Sequence, residues 1–186
     1  GTIVKGRITR LAPGVRAAFV DIGQPRDVFT AMPPGTIAER HLMPGDEVLV
    51  QISREAQGGK GHRGTFEITL PGWALVLSPR NAYRGVSRRI ADEEERDRLR
   101  TIVEGIAPEG YGLIARTAAA GLTRDELTLE RDGLLAQWAE IDARSREVRA
   151  PAVVHREESQ ALAFLREHMA HGIDEVFADG DAGHER

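Results

Sequence analysis

An arginine–threonine pair follows a short apolar run in the stretch "YGLIARTAAAG", residues 111–121. The guanidinium of Arg116 offers a fork of N–H donors that suits phosphate oxygens, and Thr117 adds a hydroxyl and a backbone N–H. The alanines and Gly121 that follow are too small to crowd an anion. Taken alone, the pattern leaves two interpretations open: a small phosphate pocket, or a strand end followed by a turn.

A second group of candidates lies in the first third of the chain. Phe19 and Phe29 fall on consecutive predicted strands of a protein with only 5% aromatic residues. On a small barrel, such rings either stack on single-stranded bases or fill the core, and alternation along the strands does not decide between them. The Gly-rich loop nearby carries Lys60, which can reach a phosphate, with His62 and Arg63 as further donors.

A third candidate is a basic stretch that contains four arginines within ten residues and no acid. Its arginines are Arg80, Arg84, Arg88 and Arg89. Uncompensated like charges favour an anionic partner, but the stretch could equally lean on the acidic helix predicted beside it. Both interpretations stay open at this point.

The charge is distributed unevenly along the 186 residues. The net charge is −4, but residues 1–89 carry 13 Lys and Arg against 7 Asp and Glu, whereas residues 90–186 carry 12 against 22. A first half with net charge +6 indicates a local surface for a polyanion. No apolar run reaches transmembrane length, and the lack of cysteines fits a reducing, cytoplasmic environment.

The first 70 residues read as β-structure. Five short strands separated by Gly/Pro turns, with no strong helical period, predict a five-stranded OB-type barrel. We expect the fifth strand in "GTFEITL" (64–70) and a helical turn in the long connection after residue 32.

The remainder reads as mixed α/β structure. Asp92 followed by three glutamates predicts a helix that ends before Pro108, and Thr123 with Glu126 forms a capping-box pattern that opens a helix to about Val148. Strands are expected in "WALVL", "YGLIART", "AVVH" and "IDEVFAD", an irregular loop in "SPRNAYRGVSRR", and a further helix over residues 157–170. The fold class is therefore α+β.

The motifs, taken in order, resemble the ribonuclease E/G endoribonucleases of bacteria. The matching stretches are "KGRITR" (5–10), "AAFVDIG" (17–23), "PGDEVLVQI" (44–52), "GGKG" (58–61), "ITLPG" (68–72), "GVSRRIADEEER" (85–96), "PEGYGLIARTAA" (108–119) and "IDEVFAD" (173–179).

The resemblance implies a division of labour. Residues 1–70 would form an S1-like RNA-binding barrel with Phe19 and Phe29 as stacking rings and Lys60 as a phosphate contact. Residues 71–180 would form a 5′-sensor region, followed by a disordered tail, 181–186. In the sensor, Arg116 and Thr117 would bind the 5′-monophosphate of RNA, and Arg88 and Arg89 match the family's "SRR" motif in the same region.

The resemblance also implies where catalysis lies. The family's two Mg²⁺-binding aspartates belong to a nuclease domain that follows the part present here, so no catalytic residue, metal or other cofactor is expected in this chain. His168 and His171 are spaced i, i+3 but lack an obvious third ligand. Three functions stay open: an RNA-binding and 5′-end-sensing module, the front half of an active Mg²⁺-dependent endoribonuclease, or a protein-interaction module. Homo-oligomerisation is left open.

Overall fold

The first five strands close into a barrel. The structure, a computed structural model, describes residues 1–32, 41–56 and 61–156. The barrel strands are β1 (Ile3–Ala12), β2 (Ala17–Asp21), β3 (Val28–Ala31), β4 (Glu47–Arg54) and β5 (Arg63–Thr65). They are ordered β1-β2-β3-β5-β4, and β4 pairs back with β1; only the β3–β5 pair is parallel. The predicted α+β fold with an S1-like barrel is confirmed.

The barrel has its own apolar core, in which aliphatic side chains pack around Phe66, which is 1% exposed. Strands approach closely at Gly64, where a Cβ atom would lie 2.4 Å from Val50 Cγ1 and 2.9 Å from Val28 Cγ1. Glycine is therefore the residue that lets β5 pack against its neighbours.

A second, four-stranded sheet and two helices follow the barrel. Its strands are β6 (Leu70–Pro71), β7 (Leu75–Ser78), β8 (Arg84–Val86) and β9 (Gly112–Ala115), in the order β6-β7-β9-β8. The helices are α1 (Glu93–Ile106) and α2 (Arg124–Glu147). Both begin where the sequence predicts: Asp92 caps α1, and Thr123 and Glu126 form a complete capping box at α2.

The last described strand returns to the barrel. β10 (Ala152–His155), the predicted "AVVH" strand, pairs antiparallel with β1. Lys5 on β1 donates hydrogen bonds to the carbonyls of Ser145 and Val148 at 2.9 and 2.8 Å, at the end of α2. Gly1–Arg156 thus form one compact unit, and the predicted boundary between residues 70 and 71 stays a prediction.

Two elements differ from the sequence prediction. The expected strand over 64–70 is only Arg63–Thr65, because the Thr65 hydroxyl accepts the backbone N–H of Glu67 at 3.0 Å and turns the chain. The expected basic loop contains β8, which pairs in parallel with β9.

Some predictions fall on residues that the structure does not describe. These are the helical turn after residue 32, the helix over 157–170, the strand over 173–179, the tail over 181–186, and His168 and His171. Within the described ranges, no helix is both long and apolar enough to cross a membrane.

Candidate nucleic-acid interface

Two aromatic rings lie side by side on the outside of the barrel. Phe19 on β2 and Phe29 on β3 are direct cross-strand partners, and their ring centroids are 5.8 Å apart at an angle of 82°. Each ring is partly exposed, and neither belongs to the buried core. Of the two sequence interpretations, core filling is wrong. The rings form a surface on which a base could stack.

An arginine lies beside each of the two rings, on the neighbouring strand. Arg10 on β1 pairs with Phe19, and Arg63 on β5 pairs with Phe29. The Arg10 guanidinium carbon lies 4.2 Å from the centre of the Phe19 ring, and that of Arg63 lies 5.8 Å from the centre of the Phe29 ring. Arg10, Phe19, Phe29 and Arg63, here called the aromatic row, thus cross four neighbouring strands.

The aromatic row borders an open groove of about 680 Å³. The groove is lined by Phe19, Pro25, Arg26, Asp27, Phe29, Gly61, His62 and Arg63. Among these lining residues, the carboxylate of Asp27 accepts a hydrogen bond from Thr9 Oγ1 at 2.6 Å. The imidazole of His62 lies 3.0 Å from a carboxylate oxygen of Glu55. Lys60, the predicted phosphate contact, lies outside the described residues.

Arg116 and Thr117 leave the second sheet at the end of β9. The backbone N–H of Arg116 donates to Ala74 O at 2.7 Å, and its guanidinium donates to Gly72 O. Thr117 begins a short 3-10 helix, Thr117–Ala119, and both side chains are exposed. Since one bond occupies a single guanidinium nitrogen, the remaining donors of Arg116 are available to an anion.

The parallel pairing of β8 and β9 brings a second basic segment to the same edge. Val86 pairs with Ala115, and the N–H of Ser87 donates to Ala115 O at 2.8 Å. The strands run in the same direction, so Arg88 and Arg89 follow β8 at the edge where Arg116 follows β9. Both guanidinium groups are exposed, and neither has a hydrogen-bond or ion-pair partner within the described ranges. Arg88, Arg89, Arg116 and Thr117 are called the edge site below.

The other two arginines of the basic stretch contact the helices. Arg84 forms an ion pair with Glu104 of α1 at 2.9 Å and donates to Ala107 O and Pro108 O. Arg80 lies with its guanidinium carbon 5.8 Å from the centre of the Trp138 ring. For Arg84, the interpretation in which the stretch leans on the acidic helix is therefore correct.

Helix α1 holds the far end of the loop that Arg116 begins. Glu95 accepts the N–H of Gly121 at 2.8 Å, and Arg98 donates to Leu122 O at 2.9 Å and to Glu95 at 2.6 Å. The bonds from Arg98 and from Gly121 lower the pKa of Glu95 to about 2. Gly121 has φ +83°, a left-handed conformation that suits glycine. Ala119 is fully buried, so it packs in the core instead of lining a pocket.

Sequence reasoning missed several of these residues. It did not find Arg10, because a register shift between Ile8 and Arg10 sets its pairing with Phe19. It did not find the Glu95–Arg98 contacts with the loop, which join residues more than 20 positions apart. Within the described parts of the chain, no group of three or more His, Asp or Glu side chains could hold a metal ion.

The fold and the two surfaces define an S1-like barrel joined to an α/β unit with a cationic edge. Comparison with known proteins agrees: residues 69–186 match the Ribonuclease E/G family. The whole chain is 36% identical to Ribonuclease E of Nostoc sp., covering 28% of that protein. It is 32% identical to Ribonuclease G of Haemophilus influenzae, and the match covers 96% of this chain and 40% of that protein. It is 34% identical to Ribonuclease E of Escherichia coli, and the match covers 95% of this chain and 18% of that protein.

This protein belongs to the ribonuclease E/G family. The chain spans less than half the length of each of these relatives.

Proposed function

We propose that this chain binds single-stranded RNA on the aromatic row and recognises the RNA 5′-monophosphate at the edge site. The main support for recognition of the 5′-monophosphate is the parallel pairing of β8 with β9. Through it, Arg88 and Arg89 follow one strand and Arg116 and Thr117 follow its neighbour, at one edge of the sheet.

The edge site has the chemistry to tell a phosphate from a hydroxyl. A monophosphate carries a charge of about −1.5 to −2 at neutral pH and presents three acceptor oxygens. A guanidinium provides parallel N–H donors, and the Thr117 hydroxyl adds another. The bond from Arg116 to Gly72 O restrains the guanidinium before the ligand arrives, which lowers the entropic cost of binding. A 5′-hydroxyl brings no charge to these donors.

The aromatic row supports binding that is independent of the 5′ end. Aromatic rings stack on any base, and each stack is worth about 1–3 kcal/mol. Arg10 and Arg63 supply positive charge beside the rings, and we assign a phosphate contact to Lys60. These contacts hold the RNA strand without selecting a sequence, since every base has a π-face.

We further propose that the chain supplies substrate recognition to RNA processing and decay, including rRNA processing and mRNA decay, in the cytoplasm. The side chains gathered on its two surfaces are rings, guanidinium groups and a hydroxyl, which are groups that hold RNA. We assign Mg²⁺-dependent phosphodiester hydrolysis to the part of the relatives that this chain does not match. Incubation of the purified chain with 5′-monophosphorylated RNA and Mg²⁺ should leave the RNA intact, and cleavage would contradict this assignment.

The test of the edge site uses one RNA sequence with two 5′ ends. A 3′-labelled single strand carrying a 5′-monophosphate should bind about 10- to 100-fold more tightly than its 5′-hydroxyl form, the range expected for hydrogen bonds to a charged group. Arg116→Ala should remove this preference and leave the affinity for the 5′-hydroxyl RNA unchanged. Arg146→Ala is the matched control: it deletes the same charge from an exposed i,i+4 pair with Asp142 on α2 and should keep the preference. An equal preference in wild type and Arg116→Ala would refute the assignment.

A further inference from the structure

A large aromatic side chain lies exposed beside the edge site. Trp73 is in the turn between β6 and β7, and half of its surface is accessible to solvent. An exposed indole gives up much of the hydrophobic stabilisation that burial would provide. The sequence predicts only a strand at this position.

The position of Trp73 is fixed relative to Arg116. Arg116 makes two hydrogen bonds to this turn: its backbone N–H donates to Ala74 O at 2.7 Å, and its guanidinium donates to Gly72 O. Trp73 is the residue between these two acceptors. The indole is therefore carried by the same backbone segment that restrains the candidate phosphate-binding side chain.

Helix α2 makes the turn rigid. Glu130 accepts the N–H groups of Ala74 at 2.9 Å and Leu75 at 3.2 Å. A Cβ atom on Gly72 would lie 2.2 Å from Glu130 Oε1, so glycine is required for this carboxylate to reach the backbone. A ring on a turn that is already held from two sides loses little further freedom when a flat ligand stacks on it.

We propose that Trp73 stacks on the base of the 5′-terminal nucleotide whose phosphate is bound by Arg116 and Thr117. The inference rests on the proposed function of the edge site and adds a base contact to it. A single ribose joins the first base to the 5′-phosphate, so a ring that receives this base must lie next to the cation that receives the phosphate. The backbone of Trp73 meets that condition, because it lies between the two carbonyls that accept hydrogen bonds from Arg116. Its broad π-face accepts any base, with purines offering the larger overlap.

The probe that isolates this contact is a 5′-monophosphorylated, 3′-labelled RNA whose first nucleotide lacks its base. Wild type should bind the intact 5′-phosphorylated RNA about 5- to 150-fold more tightly than the abasic one, the range that follows from loss of one base–aromatic stack. Trp73→Leu, which keeps apolar bulk but removes the π-face, should bind both equally and still prefer 5′-phosphate over 5′-hydroxyl. Trp73→Phe should restore part of the difference.

Fluorescence gives an independent readout. Trp138 is the other tryptophan of the chain, and it is buried. Intact 5′-phosphorylated RNA should quench the emission of wild type, and the quenching should disappear in Trp73→Leu. An equal affinity of wild type and Trp73→Leu for intact RNA, with the 5′-phosphate preference retained in both, would overturn the base contact alone. A wild type that binds 5′-phosphate and 5′-hydroxyl RNA equally would overturn the proposed function and this inference with it.

Discussion

Truncating the surface rings and the core ring of the barrel should have opposite consequences. Phe19 and Phe29 are partly exposed and face each other across two strands, whereas Phe66 is 1% exposed inside the same barrel. Phe19→Ala and Phe29→Ala should therefore weaken RNA binding more than folding. Phe66→Leu, a change at a buried ring in the same domain, should weaken folding and leave RNA binding intact.

The magnitudes follow from the contacts. Loss of one stacking ring should cost about 1–3 kcal/mol, or about 5- to 150-fold in the dissociation constant. Because the two rings touch edge to face, each also orients the other, and such pairs are worth about 0.5–1.5 kcal/mol. This pair energy is already present in the free protein, so the combined effect of the double variant on the free energy of unfolding should differ from the sum of the single effects by a coupling of that size. Phe66→Leu should lower the free energy of unfolding by about 1 kcal/mol.

The assay is fluorescence anisotropy with a 3′-labelled, 5′-hydroxyl single-stranded RNA, which removes the edge site from the comparison. Urea unfolding of each variant supplies the free energy of unfolding. The reasoning is refuted if both surface variants bind with the wild-type dissociation constant, or if Phe66→Leu weakens binding as much as they do while remaining folded.

Three further predictions concern salt, pH and close packing. The logarithm of the dissociation constant should rise linearly with the logarithm of the salt concentration. Arg63→Gln should lower the slope of this line by about 0.7, the value for one phosphate contact to a single strand. An unchanged slope would mean that Arg63 does not contact a phosphate. Because the pKa of Glu95 is lowered to about 2, its carboxylate stabilises the fold above the ordinary pKa of 4.5 and loses this effect as the pH falls toward about 2. Between these two pH values, the free energy of unfolding should therefore fall more in wild type than in Glu95→Gln. Parallel pH profiles of the two proteins would contradict this. Gly64→Ala should destabilise the barrel by about 1–3 kcal/mol in urea, since its methyl group would lie 2.4 Å from Val50; a wild-type midpoint would contradict the close approach.

Local signals in the sequence predicted the helices well. An acidic first turn after Asp92 and the reciprocal pair Thr123 and Glu126 satisfy backbone groups within a few residues of each other, so their effect is visible in the sequence itself. The strands of the barrel were predicted for a similar reason, because Gly and Pro turns separate them.

Features that depend on pairing between distant segments were not predictable. Alternation could not say which face of β2 and β3 points outward; closure of the barrel decides that Phe19 and Phe29 are at the surface. The parallel partner of β8 is β9, and the intervening helix separates them along the chain. The sequence alone could not show that Trp73 lies near Arg116, because this proximity depends on the hydrogen bonds that Arg116 makes to Gly72 and Ala74.

The central claim is that one chain carries two separate RNA contacts, a general one on the barrel and a 5′-end site on the second sheet. The most direct test is the ratio of dissociation constants for 5′-hydroxyl and 5′-monophosphate RNA, measured in wild type and in the Phe19→Ala/Phe29→Ala double variant. We predict a ratio well above one that is the same in both proteins, while both absolute affinities fall in the variant. A ratio of one in wild type, or a ratio that disappears with the barrel rings, would contradict the account.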